Sequence, residues 1–352
     1  QWIHVYEMDF NLVASVMKAI GRNFADYTLF AANDADLLIV AAVDGELPSL
    51  GKLDLSEETL RQALRRIDIN TSHELELRYI GERALLEPLF ASTPVPVNSD
   101  YFPYLDLHAV RARFMKNHVM ELTLMRGEKI PALELLSGEK NPVSKSSTAY
   151  TRHFSLSRHA HAAAILRDYY AGGTMNENPN LDLDLFRHAT VTRQLERNCR
   201  GRAATELWLE SAYEILNAAI PYSGKSEMNA LWRRLRASDC YRRLSPVNKN
   251  MFTLLGAVGR RDAPRMATLA EMLLQGNEVP ENQHGYLLAA GMIGQLANKN
   301  PEAALELWKT YAPRVMGSRQ PGLLLRLLWS HSVYRSQIKS QQKIVFGAKG
   351  IR

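Results

Sequence analysis

Between residues 10 and 24, apolar side chains recur at three- and four-residue steps. Phe10, Val13, Val16, Met17, Ile20 and Phe24 would share one stripe, which predicts an amphipathic helix. Asp9 precedes the stripe as an N-cap residue, and Gly21 is placed to end the helix in a left-handed turn. The helix therefore has a predicted start, a buried face and a predicted end.

Two apolar runs follow this helix, at residues 27–32 and 36–43, around Asn33-Asp34-Ala35. The run LLIVAAV is typical of a buried strand and is much shorter than the ~20 apolar residues of a bilayer-spanning helix. A short polar link between two strands predicts an antiparallel hairpin. Residues 1–45 are therefore expected to form the end of a strand, a helix and a strand pair, which is how many doubly wound sheets finish.

The QW start, the amphipathic helix, Phe24-Ala25-Asp26-Tyr27 and the LLIVAA run resemble the closing segment of spermidine synthase-like proteins. These are aminopropyltransferases on a class I methyltransferase-type fold. Residues 98–106, NSDYFPYLD, are similar to the Asn-Thr-Asp-Asp-x-Pro-x-Leu-Glu pattern of the larger, fused members, from which Ser99, Tyr101 and Asp106 depart. The resemblance covers roughly the first third of the chain.

The resemblance implies a parent enzyme that moves an aminopropyl group from decarboxylated S-adenosylmethionine, its co-substrate, to a diamine. In the family, the Gly-rich cofactor loop and the catalytic Asp come early in the domain, and no G-x-G-x-x-G follows a strand here. The chain is accordingly expected to be the C-terminal part of a longer protein. We expect it to lack a cofactor site, and its catalytic residues to lie upstream.

Two residues are candidates for binding the amine substrate. Gln1 falls at a family position near the substrate, where its amide could hydrogen-bond an amine; the alternative is an ordinary polar residue at a strand end. Asp100, next to two aromatic residues, could hold a cationic amine; the alternative is a turn in which Asp and Asn bond their own backbone.

The middle of the chain predicts helices at residues 72–90, ending near Pro88, and at 111–125, bridging two halves. A polar stretch at residues 138–147 is the expected linker. From residue 149 onward the pattern is helical. Gly256 and Gly291 are 35 residues apart, and Pro264 and Pro301 are 37 apart, which suggests paired helices of tetratricopeptide-like repeats. A non-repetitive helical bundle is the alternative.

The predicted fold class is thus mixed. The C-terminal remnant of an α/β doubly wound, methyltransferase-like sheet at residues 1–115 precedes a bridging helix and linker at 116–148. An all-α helical-repeat domain follows at 149–335, and a basic tail at 336–352. The remnant should expose an apolar face and an unpaired strand edge. The helical region is expected to dock a protein partner or a second copy of the chain.

Composition is ordinary for a globular protein, with 46% hydrophobic and 23% charged residues. The cysteines, Cys199 and Cys240, are too few for a disulfide framework, and their scarcity is typical of a reducing compartment. We therefore expect a cytoplasmic location, with a membrane anchor of the parent, through helices upstream, left open.

Two clusters of basic residues are candidates for phosphate or nucleic-acid binding. Acidic residues are interspersed, which argues against a nucleic-acid groove, so an RNA-binding repeat ranks below an enzyme part or an interaction module. His153, His159 and His161 lack the i, i+4 spacing of a helical metal site, and no metal is expected. The clusters comprise Arg187, Arg193, Arg197, Arg200 and Arg202, then Arg233, Arg234, Arg236, Arg242 and Arg243 beside Trp232 and Tyr241.

Overall fold

The computed structural model describes residues 1–48, 56–67, 69–138, 154–173, 183–276, 278–317 and 319–349, with only the backbone for 341–349. Within these ranges the chain is mostly helical, with one antiparallel sheet. The strands are β1 (Trp2–His4), β2 (Asp26–Asn33), β3 (Asp36–Ala42) and β4 (Tyr79–Glu82), in the order β1-β3-β2-β4. The mixed fold class is confirmed.

The predicted hairpin is confirmed, because β2 and β3 pair antiparallel around the turn at residues 33–36. β1 also pairs antiparallel with β3, with Trp2 opposite Leu38 and His4 opposite Asp36. β1 and β2 therefore run in the same direction on either side of β3.

The helix between β1 and β2 is α1 (Phe10–Asn23), and Asp9 caps it by accepting from the Leu12 N–H at 3.0 Å. The prediction that Gly21 ends α1 is wrong. The helix continues to Asn23, and the N–H of Phe24 still donates to the Ile20 carbonyl at 3.0 Å. Phe24 is extended (φ −121°), so the chain enters β2 without a left-handed residue.

The helix predicted over residues 72–90 is also wrong, because β4 divides it. The elements are α2 (Glu58–Arg65), α3 (Ser72–Arg78), β4 and α4 (Arg83–Ala91), and Pro88 lies inside α4. β4 pairs antiparallel with the edge of β2 that β3 leaves free, with Leu29 opposite Gly81 and Phe30 opposite Tyr79. Gly81 permits this because a Cβ there would lie 2.9 Å from a Leu85 methyl group and 3.2 Å from Leu86.

A single helix over residues 111–125 is likewise wrong. Helix α5 (Tyr104–Phe114) ends before Lys116, whose φ of 52° is left-handed and cannot continue a helix. Short elements follow: α6 (Met120–Thr123), a 3₁₀ turn (Met125–Gly127) and α7 (Ala132–Ser137). Of the linker predicted at 138–147, only Gly138 lies among the described residues.

Beyond residue 153 the described residues are helical, as predicted. The helices are α8 (Ser155–Tyr170), α9 (Leu183–Gln194), α10 (Gly201–Ala219), α11 (Lys225–Arg236), α12 (Asp239–Arg243), α13 (Pro246–Gly259), α14 (Ala263–Gln275), α15 (Glu281–Ala297), α16 (Pro301–Met316) and α17 (Leu323–Lys349).

Two of these helix pairs, α13–α14 and α15–α16, share one turn geometry. Arg261 and Lys299 are both left-handed, with φ of 55° and 60°. The N–H after each, on Asp262 and Asn300, donates 2.9 Å back into the preceding helix. These turns lie 38 residues apart, so Gly294, rather than Gly291, is the structural counterpart of Gly256. The two pairs share this turn, and the helical repeat itself stays a prediction.

The buried apolar side chains form one continuous cluster from Val5 to Leu328, which runs through the sheet, α1, α4 and the later helices. The boundaries proposed near residues 115, 148 and 335 stay predictions, although this core crosses the first two of them.

Cys199 and Cys240, both buried, form a disulfide with Cα atoms 5.1 Å apart. A single disulfide is not a disulfide framework, as the sequence indicated. The cysteines are nevertheless paired with each other. A cytoplasmic location stays a prediction. Among the described helices, none has the length and apolar character needed to cross a bilayer.

Candidate functional site

A cleft of about 500 Å³ opens where β1 passes into α1. Three stretches of the chain form it: residues 9–10 at the start of α1, residues 116–121 between α5 and α6, and residues 321–326 at the start of α17. The cleft lies past the carboxyl end of β1, where residues 5–9 lead into α1.

Backbone hydrogen bonds near β1 hold the first wall of the cleft, residues 116–121, in place. Tyr6 forms an antiparallel bridge with His118, and the Val119 N–H donates to the Val5 carbonyl at 2.9 Å. Glu7 is left-handed (φ 55°), which turns the chain from the strand toward the helix. Residues 116–121 are thereby held beside the first turn of α1.

The first residues of α17 form the second wall. The Arg326 guanidinium lies over the Phe10 ring, 5.4 Å from its centroid, and donates to the Gln320 side-chain oxygen at 2.6 Å. Phe10 stacks in turn on Phe90, with centroids 6.0 Å apart. Helix α17 therefore closes a cleft whose other walls are the start of α1 and residues 116–121.

The cleft carries groups of both charges. Asp9 and Glu121 supply carboxylates, Lys116 and Arg326 supply cations, and His118 supplies an imidazole. Asp9 Oδ1 accepts the hydrogen bond that caps α1, and no hydrogen bond within the described residues engages Asp9 Oδ2. An ammonium group can therefore bind to Asp9 without disturbing the helix cap.

Gln1 lies outside this lining, before the first residue of β1. The strand does not end at Gln1, as the resemblance implied, but continues to His4. Its amide Nε2 donates to the Trp2 carbonyl at 2.9 Å and its backbone exchanges hydrogen bonds with Ile39. Its proposed contact with an amine stays a prediction.

Asp100 lies in an exposed turn that precedes α5, and it too is outside the cleft lining. Ser99 and Phe102 exchange both backbone hydrogen bonds, and Asn98 Oδ1 accepts from the Leu105 N–H at 2.9 Å. Asn98 and Ser99 thus build the turn, while the Asp100 carboxylate has no hydrogen bond in the described part of the chain. Its role in amine binding also stays a prediction.

No hydrogen bond or ion pair joins Gln1, Asp100 and the cleft within the described residues. The sequence identified Asp9 only as a cap and did not single out His118, Glu121 or Arg326. The lining residues come from stretches more than a hundred positions apart, and no local spacing signals that they meet.

The described residues hold no cluster of three or more His, Cys, Asp or Glu side chains arranged for a metal ion. His153 lies outside the described residues. Comparison with protein-family models, curated proteins and solved structures gave no match to this chain.

Proposed function

We propose that this chain contributes the closing part of an aminopropyltransferase-like enzyme, with the helical region as its scaffold. The observation that carries the proposal is the cleft at the carboxyl end of β1, with the Asp9 and Glu121 carboxylates in its lining. The strand order β1-β3-β2 supports the proposal as well. Helix α1 connects β1 to β2, which run in the same direction, and β3 pairs antiparallel between them. The resemblance implies such a closing helix followed by an antiparallel strand pair.

In this proposal the cleft binds one end of a diamine as an ammonium ion. The carboxylates of Asp9 and Glu121 attract that end, while the cations Lys116 and Arg326 disfavour a second ammonium group nearby. The other end gives its proton to the catalytic Asp that the resemblance implies upstream, and attacks as a neutral amine. The new C–N bond forms at the carbon beside the sulfonium of decarboxylated S-adenosylmethionine as the C–S bond breaks and a neutral thioether leaves. The chain's part in this reaction is orientation and control of the amine's protonation.

Calorimetric titration with putrescine and spermidine tests the proposal, on this chain and on a form extended upstream. We expect Asp9→Asn and Glu121→Gln each to weaken diamine binding at least five-fold. Asn caps helices about as well as Asp, so Asp9→Asn removes charge without removing the cap. Glu306→Gln, at an exposed carboxylate on α16, is the matched control and should bind like the parent. Unchanged affinity in both cleft variants would overturn the proposal.

A second candidate is a non-catalytic interaction module, favoured by the outer face of the sheet. Trp2, Leu38 and Val40 are 52%, 42% and 40% exposed on that face, and β1 is an edge strand. Such a face and edge can pair with a second copy of the chain. Absence of diamine binding together with self-association through this face would favour this candidate.

A further inference from the structure

Two arginines lie over one tryptophan ring, away from the elements of the cleft, and a third arginine is close to them along the chain. The Arg260 guanidinium, just past α13, lies 4.3 Å from the centroid of the Trp232 ring. Arg236, one turn after Trp232 on α11, lies 5.1 Å from the same ring and 5.7 Å from Tyr241. Arg265 lies in the first turn of α14, five residues after Arg260, and its backbone N–H donates to Asp262 Oδ1 at 3.3 Å.

The tryptophan is a fixed platform. Its ring is 6% exposed, and Nε1 donates to the Phe252 carbonyl at 3.1 Å. The ring fits only because residue 256 is glycine, since a Cβ there would collide with it. Guanidinium groups that stack on a fixed ring keep their N–H edges directed away from it and available to acceptors.

These arginines lack the acidic partners that their neighbours have. Arg234, Arg242 and Arg261 are paired with Glu196, Asp239 and Glu134. In contrast, no ion pair engages Arg236, Arg260 or Arg265 within the described residues.

Nearby like charge and burial act together on Arg260. Burial lowers the pKa of Arg260 and the Asp262 carboxylate raises it, while Arg265 and Arg236 lower it further. The Arg260 Nη1 is buried without a hydrogen-bond partner. Three cations and one carboxylate give this surface a net charge of about +2, which favours the binding of an anion.

We propose that Arg236, Arg260 and Arg265 form a binding site for a phosphate or pyrophosphate group of a small molecule. Phosphate oxygens accept the paired N–H groups of a guanidinium in a bidentate manner and would satisfy the unused donors. They would also offset the repulsion among the three cations. The acidic residues on the surrounding helices, Glu196 and Asp239 among them, disfavour a continuous polyanion such as RNA.

Isothermal titration with sodium pyrophosphate and with inorganic phosphate, at constant ionic strength, tests this site on the whole chain. We expect one pyrophosphate per chain, with affinity at least ten-fold weaker in Arg260→Gln and in Arg265→Gln. Arg265 is exposed and carries no side-chain contact in the described chain, so its variant should fold even if that of Arg260 does not. Arg233→Gln on α11 makes the same charge change away from the Trp232 ring and should stay within two-fold of the parent.

Equal weakening in Arg233→Gln would show only general charge attraction and would overturn the site, as would no pyrophosphate binding at millimolar concentration. A single-stranded RNA oligonucleotide that competes at far lower concentration than pyrophosphate would also overturn the small-molecule assignment. The diamine titration uses different residues, so failure of one proposal leaves the other testable.

Discussion

The sheet region (residues 1–138) and the helical region (residues 154–349) bury their apolar residues in different ways. In α15, the run from Leu287 to Gly294 is buried throughout, with other helices around it. In β3, only alternate residues are buried: Leu37 and Ile39 are covered, while Leu38 and Val40 are about two-fifths exposed on the other face. A helix satisfies its own backbone hydrogen bonds and can be surrounded, whereas a sheet needs cover on its faces and a partner at its edges. The sheet region therefore leaves apolar side chains exposed where the helical region covers them.

Buried polar contacts join the two regions. Arg261, in the turn between α13 and α14, pairs with Glu134 of α7 at 2.9 Å, and both side chains are almost fully buried. His331 of α17 lies against α4, where its Nε2 donates to the Leu85 carbonyl at 2.7 Å. If the regions were independent bodies, breaking these contacts would change little.

The largest expected effect comes from Glu134→Gln, which leaves the buried Arg261 charge without its partner. Removing one member of a buried ion pair costs about 3–5 kcal/mol of unfolding free energy. Urea unfolding measures the loss, and Glu206→Gln is the control. Glu206 pairs with Arg202 on the exposed surface, where a pair is worth about 0–1 kcal/mol. If the two variants lost the same small amount, the regions would not be joined through this contact.

Acid should weaken the same junction through His331, whose pKa burial lowers to about 4. The unfolded histidine titrates near ~6.5, so between pH 6.5 and 4 the unfolded chain binds more protons, and the unfolding free energy falls as pH falls. The maximum loss from this group is about 3 kcal/mol. Nδ1 is buried without a partner, so the added proton would find no acceptor.

The difference in unfolding free energy between the parent and His331→Gln, followed over pH, isolates this effect. A Gln amide can still donate to the Leu85 carbonyl but does not titrate. Other groups cancel in that difference, including Glu128, whose pKa burial raises. Parallel stability curves for the two proteins over pH 4–6.5 would contradict the assignment to His331.

Close helix packing in the helical region is tested at two glycines of α15. A Cβ on Gly294 would lie 2.7 Å from the Ala267 nitrogen and 2.9 Å from the Ala263 oxygen, both backbone atoms. Gly294→Ala should therefore force α14 and α15 apart and cost about 1–3 kcal/mol. At Gly285 the nearest atom is 3.8 Å away, so Gly285→Ala should be neutral or stabilise by up to about 1 kcal/mol. Thermal melts that rank the two variants the other way would contradict the packing.

These particulars show what a sequence reveals and what it leaves open. Helix α1, its Asp9 cap and the β2–β3 hairpin were predicted, because each depends on spacing within a few residues. Strand β4 was missed, since its residues also fit a helix and become a strand only beside the β2 edge. The glycine spacing aligned Gly256 with Gly291, whereas the shared turns at Arg261 and Lys299 align Gly256 with Gly294, because the turn and not the glycine sets the register. The cleft was not predicted, since its three stretches meet only in the folded chain.

The smallest effect on stability, and the sharpest test of the sheet region, is expected from Leu38→Thr and Val40→Thr on the outer face of β3. Thr suits strands, so the double variant should change the unfolding free energy by no more than about 0.5 kcal/mol. If a second copy covers this face, sedimentation should show self-association in the parent and less of it in the variant. Val43→Thr makes the same kind of change just beyond the end of β3, at a residue 68% exposed, and should associate like the parent. A parent chain that stays monomeric at high concentration would exclude a second copy as the cover of this face.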